Sequence, residues 1–180
     1  FVSGNRNAAS TLRRGIAGSV PHYQINDAKE ACWAFEPTQA VNYCEAHDNN
    51  TLWDKLCISA KNDSEGVRIK MDKLAAAIVI LSQGMPFIQL GQDFLRSKPR
   101  ILKEGEEPND VNIYSHDSYN APDYTNSIKW NRKLEYKEVF EYYKALIRLR
   151  KGSPLFRMYT KEDVNAHLHF MHNDDWNCVS

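Results

Sequence analysis

The stretch VNYCEAHDNNTLWDKL, Val41–Leu56, decides the fold. It begins as a strand, because Val41, Tyr43 and Cys44 are residues that fit a pleated, half-buried surface. It breaks at His47-Asp48-Asn49-Asn50, and a helix-forming run begins at Thr51. Gln39–Ala46 is therefore predicted as a strand and Thr51–Ala60 as a short helix. A strand that ends in an ionisable pair places chemistry at its carboxyl end.

Downstream, Val67, Met71, Leu74, Ile78 and Leu81 recur at steps of four and three, which predicts a helix over Glu65–Gln83 with that stripe inward. Ser64 suits its N-cap and Gly84 its C-terminal stop. The run MPFIQL, Met85–Leu90, is almost wholly apolar and predicts a strand buried on both faces. Ser97–Leu134 carries little periodicity. A loop of that length in a compact domain is functional or disordered, and Tyr114, Tyr119, Tyr124 and Trp130 favour an ordered, functional one. Within it, Glu104–Glu107 reads as a solvated face. A second helix is predicted over Tyr136–Lys151, with Val139, Phe140, Tyr143, Leu146 and Ile147 inward. Arg148, Arg150 and Lys151 complement its dipole, and Gly152 closes it. The terminal HLHFMHNDDWNCVS predicts a β-hairpin turning at Asn173–Asp175. Residues 5–38 form a long excursion with a short helix near Ala8–Arg14.

The order strand, helix, strand, loop, helix implies parallel strands joined by right-handed crossovers, an α/β fold. Both strands then end at the same edge, one in His47-Asp48 and the other in Gly91-Gln92-Asp93. In an α/β barrel that edge carries the active site.

Lys plus Arg equals Asp plus Glu at 23 each. That balance argues against nucleic-acid and polybasic membrane-surface partners. No apolar run approaches the ~20 residues of a membrane span. Phe1-Val2-Ser3-Gly4 and Asn177-Cys178-Val179-Ser180 read as the interior of a longer protein, so the chain is expected to be a fragment. Cys32, Cys44, Cys57 and Cys178 are scattered without metal spacing and read as free thiols. This leans toward a reducing, cytoplasmic compartment, with a secreted or cell-surface site left open. His167, His169 and His172, with Asp174 and Asp175 nearby, do not fit zinc spacing and read as exposed strand residues.

Four segments together resemble the type I pullulanases of the α-amylase superfamily. VNYCEAHDNNTLWDKL resembles that family's seventh barrel strand and the turn and helix after it, and GMPFIQLGQDFLRSK (residues 84–98) its eighth. DSYNAPDYTNSIKW (residues 117–130) resembles a segment beyond that strand, and FVSGN with GIAGS resembles the approach to the seventh strand. The resemblance implies the C-terminal portion of a (β/α)8 barrel, about its last two β/α units, over residues 1–152. The start of an all-β C-terminal domain would come next, over residues 153–180.

It also implies a retaining glycoside hydrolase acting on α-1,6 bonds of pullulan, starch or glycogen-type glucans. Its partners would be an α-glucan and the missing N-terminal half of the barrel. By motif position Asp48 is the carboxylate that supports the transition state, and His47 hydrogen-bonds the same sugar. Asn49, Asp123 and Asn126 would be substrate contacts. Tyr119 and Trp130 would stack on sugars or anchor their loop, with anchoring favoured for Trp130. The nucleophile and the acid lie outside the chain, and KEGEEP (residues 103–108) is misplaced to supply either. No cofactor is required for this chemistry, and a structural calcium stays open.

The plainer readings are that Asp48, Asn49 and Asn50 cap the helix after them and that Pro122-Asp123 makes a turn. Arg96 either pairs with Asp93 or reaches the cleft. At the level of function, the alternatives are a non-catalytic glucan-binding or structural remnant and an isoamylase or glycogen-debranching relative.

Overall fold

A computed structural model describes residues 1–25 and 32–171. Its helices are α1 (Ala9–Ile16), α2 (Leu52–Ser59), α3 (Glu65–Leu81), α4 (Asp123–Asn126), α5 (Arg132–Glu135), α6 (Lys137–Gly152) and α7 (Lys161–His167). Its strands are β1 (Val41–Asn42) and β2 (Met85–Pro86). Among the described residues the architecture is helical with one small sheet. Two compact units can be told apart. One takes Phe1–Tyr43, Ala77–Phe87 and the chain from Leu146 onward; the other takes Cys44–Ala76 and Ile88–Ala145. Both α3 and α6 contribute residues to each.

In the first unit β1 and β2 run parallel, with Val41 opposite Met85 and Asn42 opposite Pro86. The Met85 amide donates to Ala40 O and the Phe87 amide to Asn42 O, each at 2.8 Å. Pro86 lies between these donors, so its missing N–H takes no bond from the ladder. The parallel pairing and the α3 crossover match the pattern read from the sequence, but each strand is shorter than expected. The expectation that MPFIQL is buried on both faces fails. Met85 and Phe87 are 51 % and 44 % exposed, and Val41 and Tyr43, on the same side by the two-residue period, are 48 % and 59 % exposed.

The core of this unit is Ala17, Val20, Ala34, Met158 and Val164. Gln83 ties it together: its amide N–H donates to Ile16 O at 2.9 Å, its Nε2 to Leu155 O at 2.7 Å, and its Oε1 accepts from Met158 N at 3.0 Å. Gly84 ends α3 at φ +96°, where a Cβ would stand 2.8 Å from Ala40 O. Only glycine meets both conditions.

Both long helices fall where predicted, but their buried faces are corrected. On α3 the inward residues are Asp72, Ala75, Ala76, Val79 and Ile80, while Val67 and Leu74 are exposed. This is also a regular helical stripe, but one built on small residues and a carboxylate, which hydrophobicity alone passes over. On α6, Val139, Tyr143 and Leu146 are buried as expected, Ile147 is exposed, and Arg150 is buried. Arg150 does more than complement the dipole of its own helix. Its guanidinium donates to Ile80 O (2.8 Å), Ser82 O (2.7 Å) and Gly84 O (2.5 Å), closing the carbonyl end of α3.

The terminal hairpin is not found in its described part. His167 ends α7, capped by the Thr160 side chain, and Leu168–Met171 is irregular. His169 Nδ1 bonds the Tyr23 hydroxyl at 2.6 Å. His172, Asp174, Asp175 and the rest of the predicted turn and second strand lie outside the described residues, as does Cys178. Cys32, Cys44 and Cys57 are free thiols.

Candidate functional site

The second unit holds an open cavity of about 590 Å³. His47, Asp48 and Asn49 form part of its lining, with Gln89, Arg96 and Lys98 and the loop His116–Tyr119. The local structure explains why the first three are available. Thr51, not Asp48 or its neighbours, is the N-cap of α2: its Oγ1 accepts from Asp54 N at 3.1 Å. Glu45 takes a second exposed helix donor, its Oε2 accepting from Leu52 N at 2.5 Å. The helix-capping alternative for Asp48, Asn49 and Asn50 is thereby set aside. His47 and Asp48 side chains stand 87 % and 78 % exposed, with His47 Nε2 3.6 Å from Asp48 Oδ1.

Asn49 adopts φ +62°, a left-handed conformation that Asn tolerates better than most residues. Its carbonyl accepts from Lys98 Nζ, which also donates to His47 O at 3.2 Å and to Ser118 Oγ at 3.1 Å. Lys98 is 1 % exposed. Its own backbone is pinned by Asp54, a fully buried carboxylate that accepts from Lys98 N at 2.8 Å and Ser97 Oγ at 2.5 Å. Burial raises the Asp54 pKa, against the Lys98 amide and Ser97 hydroxyl that favour its charged form. Burial lowers the Lys98 pKa, assisted by Arg96 and opposed by Asp54, Glu45 and Asp48.

Gln89 secures the other side of the same loop. With its amide nitrogen toward acceptors, it donates to Glu45 Oε1 (3.2 Å) and Ala46 O (2.7 Å), and its oxygen accepts from His47 N and Arg96 (3.3 Å each). Arg96 reaches the cavity and not Asp93, donating to Asn126 O at 2.9 Å and Leu90 O at 3.3 Å. Burial pushes Glu45 up to about 8, against its bond from Leu52. Behind it, Gln92 Nε2 bridges Cys44 Sγ (3.2 Å) and the Tyr143 hydroxyl (3.1 Å), and that hydroxyl donates to Asp72 Oδ1 at 3.0 Å.

The far wall is the ordered segment that the sequence placed after the second strand. Asn126 lines the cavity and holds the wall's shape, its Nδ2 donating to Ser118 O (2.8 Å) and Ala121 O (3.1 Å). Asp117 makes a turn, its Oδ1 accepting from Tyr119 N at 3.3 Å. The Tyr119 ring is 97 % exposed at the cavity wall, whereas Trp130 packs on buried Phe94 with centroids 5.8 Å apart. Asp123 begins α4, exposed, and is not among the lining residues. In the Glu104–Glu107 cluster, Glu106 departs from the solvated-face reading. It takes both Arg100 terminal nitrogens, at 2.7 and 3.0 Å. The cavity's carboxylates are Asp48 and Asp117.

The structure thus brings His47, Asp48, Asn49 and Asn126 together and leaves Asp123 apart. Lys98, Gln89 and Glu45 were not anticipated. Lys98 and Gln89 stand inside GMPFIQLGQDFLRSK, and Glu45 stands two residues before His47. Their long-range bonds leave no periodic trace in sequence. Chemically, the cavity is polar, open enough for a hydroxyl-rich ligand, and is lined by two carboxylates (Asp48 and Asp117), two imidazoles (His47 and His116) and one bare aromatic ring.

No family model matches the chain. It is 36% identical over 168 residues to the pullulanase of Bacillus subtilis strain 168, covering 93% of this chain and 21% of that protein. Among solved structures it is similar to the pullulanase of Bacillus acidopullulyticus, with a TM-score of 0.82 and 36% identity over 98% of this chain and 19% of that one. It is also similar to the pullulanase of Paenibacillus barengoltzii in complex with maltohexaose and α-cyclodextrin, with a TM-score of 0.81 and 37% identity over 96% and 24%. The chain spans about a fifth of the length of the curated relative it matches.

Proposed function

From the premise that this chain belongs to the type I pullulanase family, we propose that it is part of a retaining glycoside hydrolase that cleaves α-1,6-glucosidic bonds in pullulan, starch or glycogen-type glucans. The observation that carries this reading is the exposed His47–Asp48 pair at a polar cavity, released from helix capping by Thr51. A retaining glycosidase works with a nucleophile and a general acid about 5–5.5 Å apart, flanking an oxocarbenium-like transition state. Hydrogen bonds to sugar hydroxyls that strengthen in that state lower the barrier further. Asp48 takes this supporting role, with His47 on the same sugar and Asn49 and Asn126 as further contacts. Asp123, outside the lining, contacts only a glucan that extends beyond the cavity. Tyr119 offers a flat apolar face to a sugar ring. The maltohexaose and α-cyclodextrin carried by the Paenibacillus relative support an α-glucan as ligand.

In this proposal the nucleophile and the acid come from a longer chain, and the present residues supply the last two β/α units of a barrel. The exposed apolar side of β1 and β2, with Val41, Tyr43, Met85 and Phe87, supports that placement, since neighbouring strands would bury it. Residues from 153 onward would lead into the C-terminal domain. The test is pullulan hydrolysis by the longer protein and by residues 1–180 alone. The longer protein is expected to cleave pullulan and to lose that activity in Asp48→Asn, and the isolated chain to cleave nothing. Full activity in Asp48→Asn, or pullulan cleavage by the isolated chain, would refute the assignment.

A further inference from the structure

An ammonium group has three N–H donors and no acceptor. Lys98 Nζ meets three oxygens, those of His47, Asn49 and Ser118, so each donor has a partner. Among the described residues no carboxylate forms a direct ion pair with it: Asp54 accepts from the Lys98 backbone and not its side chain. Burying an ammonium on carbonyls and a hydroxyl is an expensive way to fill space, and a methionine would fill it without desolvating a charge. The arrangement therefore calls for a purpose other than packing.

Its geometry supplies one. The two carbonyls belong to the residues on either side of Asp48. The His47 carbonyl belongs to the peptide that enters Asp48 and the Asn49 carbonyl to the peptide that leaves Asn49, so one cation brackets the turn that carries Asp48, and the His47 and Asp48 side chains stand exposed at the cavity. The left-handed Asn49 is what lets its carbonyl face the same point as that of His47. The third bond goes to the opposite wall, at Ser118, next to the exposed Tyr119 ring. A second link runs the same way: Ser115 N donates to Lys98 O at 2.8 Å. One buried charge thus sets both the aim of the carboxylate and its separation from the aromatic wall.

We propose that Lys98 is a positioning residue for the reaction assigned to this site, its ammonium fixing the Asp48 carboxylate against the wall that carries Ser118 and Tyr119. This rests on the glucan-hydrolase reading above. Lys98 touches no reacting atom. It acts by holding Asp48 where the developing charge of the transition state requires it.

The experiment uses the longer, pullulan-cleaving protein with Lys98→Met and Lys98→Arg. Methionine keeps the apolar stem and deletes all three bonds. Arginine keeps the charge in a planar fork that does not match three converging oxygens. Both variants are expected to lose about 100-fold in kcat, as for a misplaced catalytic group, with KM changed less than about threefold, when assayed well below their unfolding midpoints. A folded Lys98→Met with wild-type kcat overturns the proposal. So does a kcat loss that only tracks the fraction unfolded. Should neither variant fold, the wild type decides. With 15N-labelled lysine, a slowly exchanging Lys98 ammonium signal is expected to shift when maltotriose binds, and a signal unmoved at saturation overturns the proposal. A wild type that leaves pullulan uncut refutes the function itself and this proposal with it, whereas pullulan cleavage at the wild-type kcat in Lys98→Met refutes the positioning role alone.

Discussion

Arg150 Nη2 donates to the carbonyl of Gly84 at 2.5 Å, while its Nη1 bridges Ile80 O and Ser82 O. A helix ends with carbonyls that its own backbone cannot satisfy, and here the three lie around a side chain only 8 % exposed. Arg150→Met is expected to destabilise the protein by about 3 kcal/mol, because charge-assisted bonds are lost and buried acceptors are left bare. The denaturant midpoint measures this. Arg150→Lys, which replaces a fork by a single point, should recover less than half of it.

Asp72 and Glu45 give stability a definite pH dependence. Burial pushes Asp72 up to about 7 and Glu45 up to about 8. In the unfolded chain both titrate near ~4. Between these values the native state holds more protons than the unfolded one, so stability falls as pH rises from ~4 and levels off above about 8. Asp72→Asn retains an acceptor for the Tyr143 hydroxyl and removes one charge. It is expected to flatten this slope and raise stability at pH 8.5 by about 2 kcal/mol. Urea titrations at pH 5, 7 and 8.5 check it, and an unaltered slope would contradict the assignment.

The backbone and side chain of Asn49 can be separated. At φ +62° a β-branched residue is strained and glycine is not. Asn49→Val is expected to lower stability by about 1–2 kcal/mol, and Asn49→Gly to change it by only a few tenths. If the Asn49 amide contacts glucan, Asn49→Gly nonetheless weakens maltotriose binding, measured calorimetrically. Equal affinity in Asn49→Gly would confine this residue to a backbone role.

Glu106 holds its loop through Arg100 (2.7 and 3.0 Å), Lys103 N (3.2 Å) and Asn112 Nδ2 (3.3 Å). The Arg100 bonds keep its carboxyl below the usual range, so the clip is in place above ~4 and is lost as pH falls through the folded value. Glu106→Ala is expected to speed proteolytic cleavage within residues 100–112 at neutral pH and to leave the rest of the digestion pattern unchanged.

Much of this frame is legible in the sequence. Two parallel strands, the helix between them, the long α6 and the turn from strand to chemistry at His47 can all be read from periodicity and punctuation. The lengths and faces cannot. MPFIQL reads as doubly buried because an apolar run records the burial a strand is built for, not which neighbours cover it in this chain. The inward stripe of α3 is hidden because Asp72 is buried by its bond from Tyr143, a residue 71 positions away. Lys98 is hidden for the same reason. A lysine between Ser97 and Pro99 reads as solvent-facing loop, and only the convergence of three oxygens from two separate segments puts it inside. At the other end, the alternation in HLHFMH favoured a strand, yet the Thr160 cap and the Asn165 bond to Lys161 O at 2.8 Å favour helix through His167.

Thr51 has a consequence beyond the stability of α2. By capping the helix itself, with Glu45 serving Leu52 N, it leaves the side chains of residues 47–50 with no part in capping that helix. Mutations at 47 and 48 can therefore be sampled for what they do to a ligand without first being screened for folding. In this stretch the side chains that hold the helix and those that face the cavity stand side by side but separate.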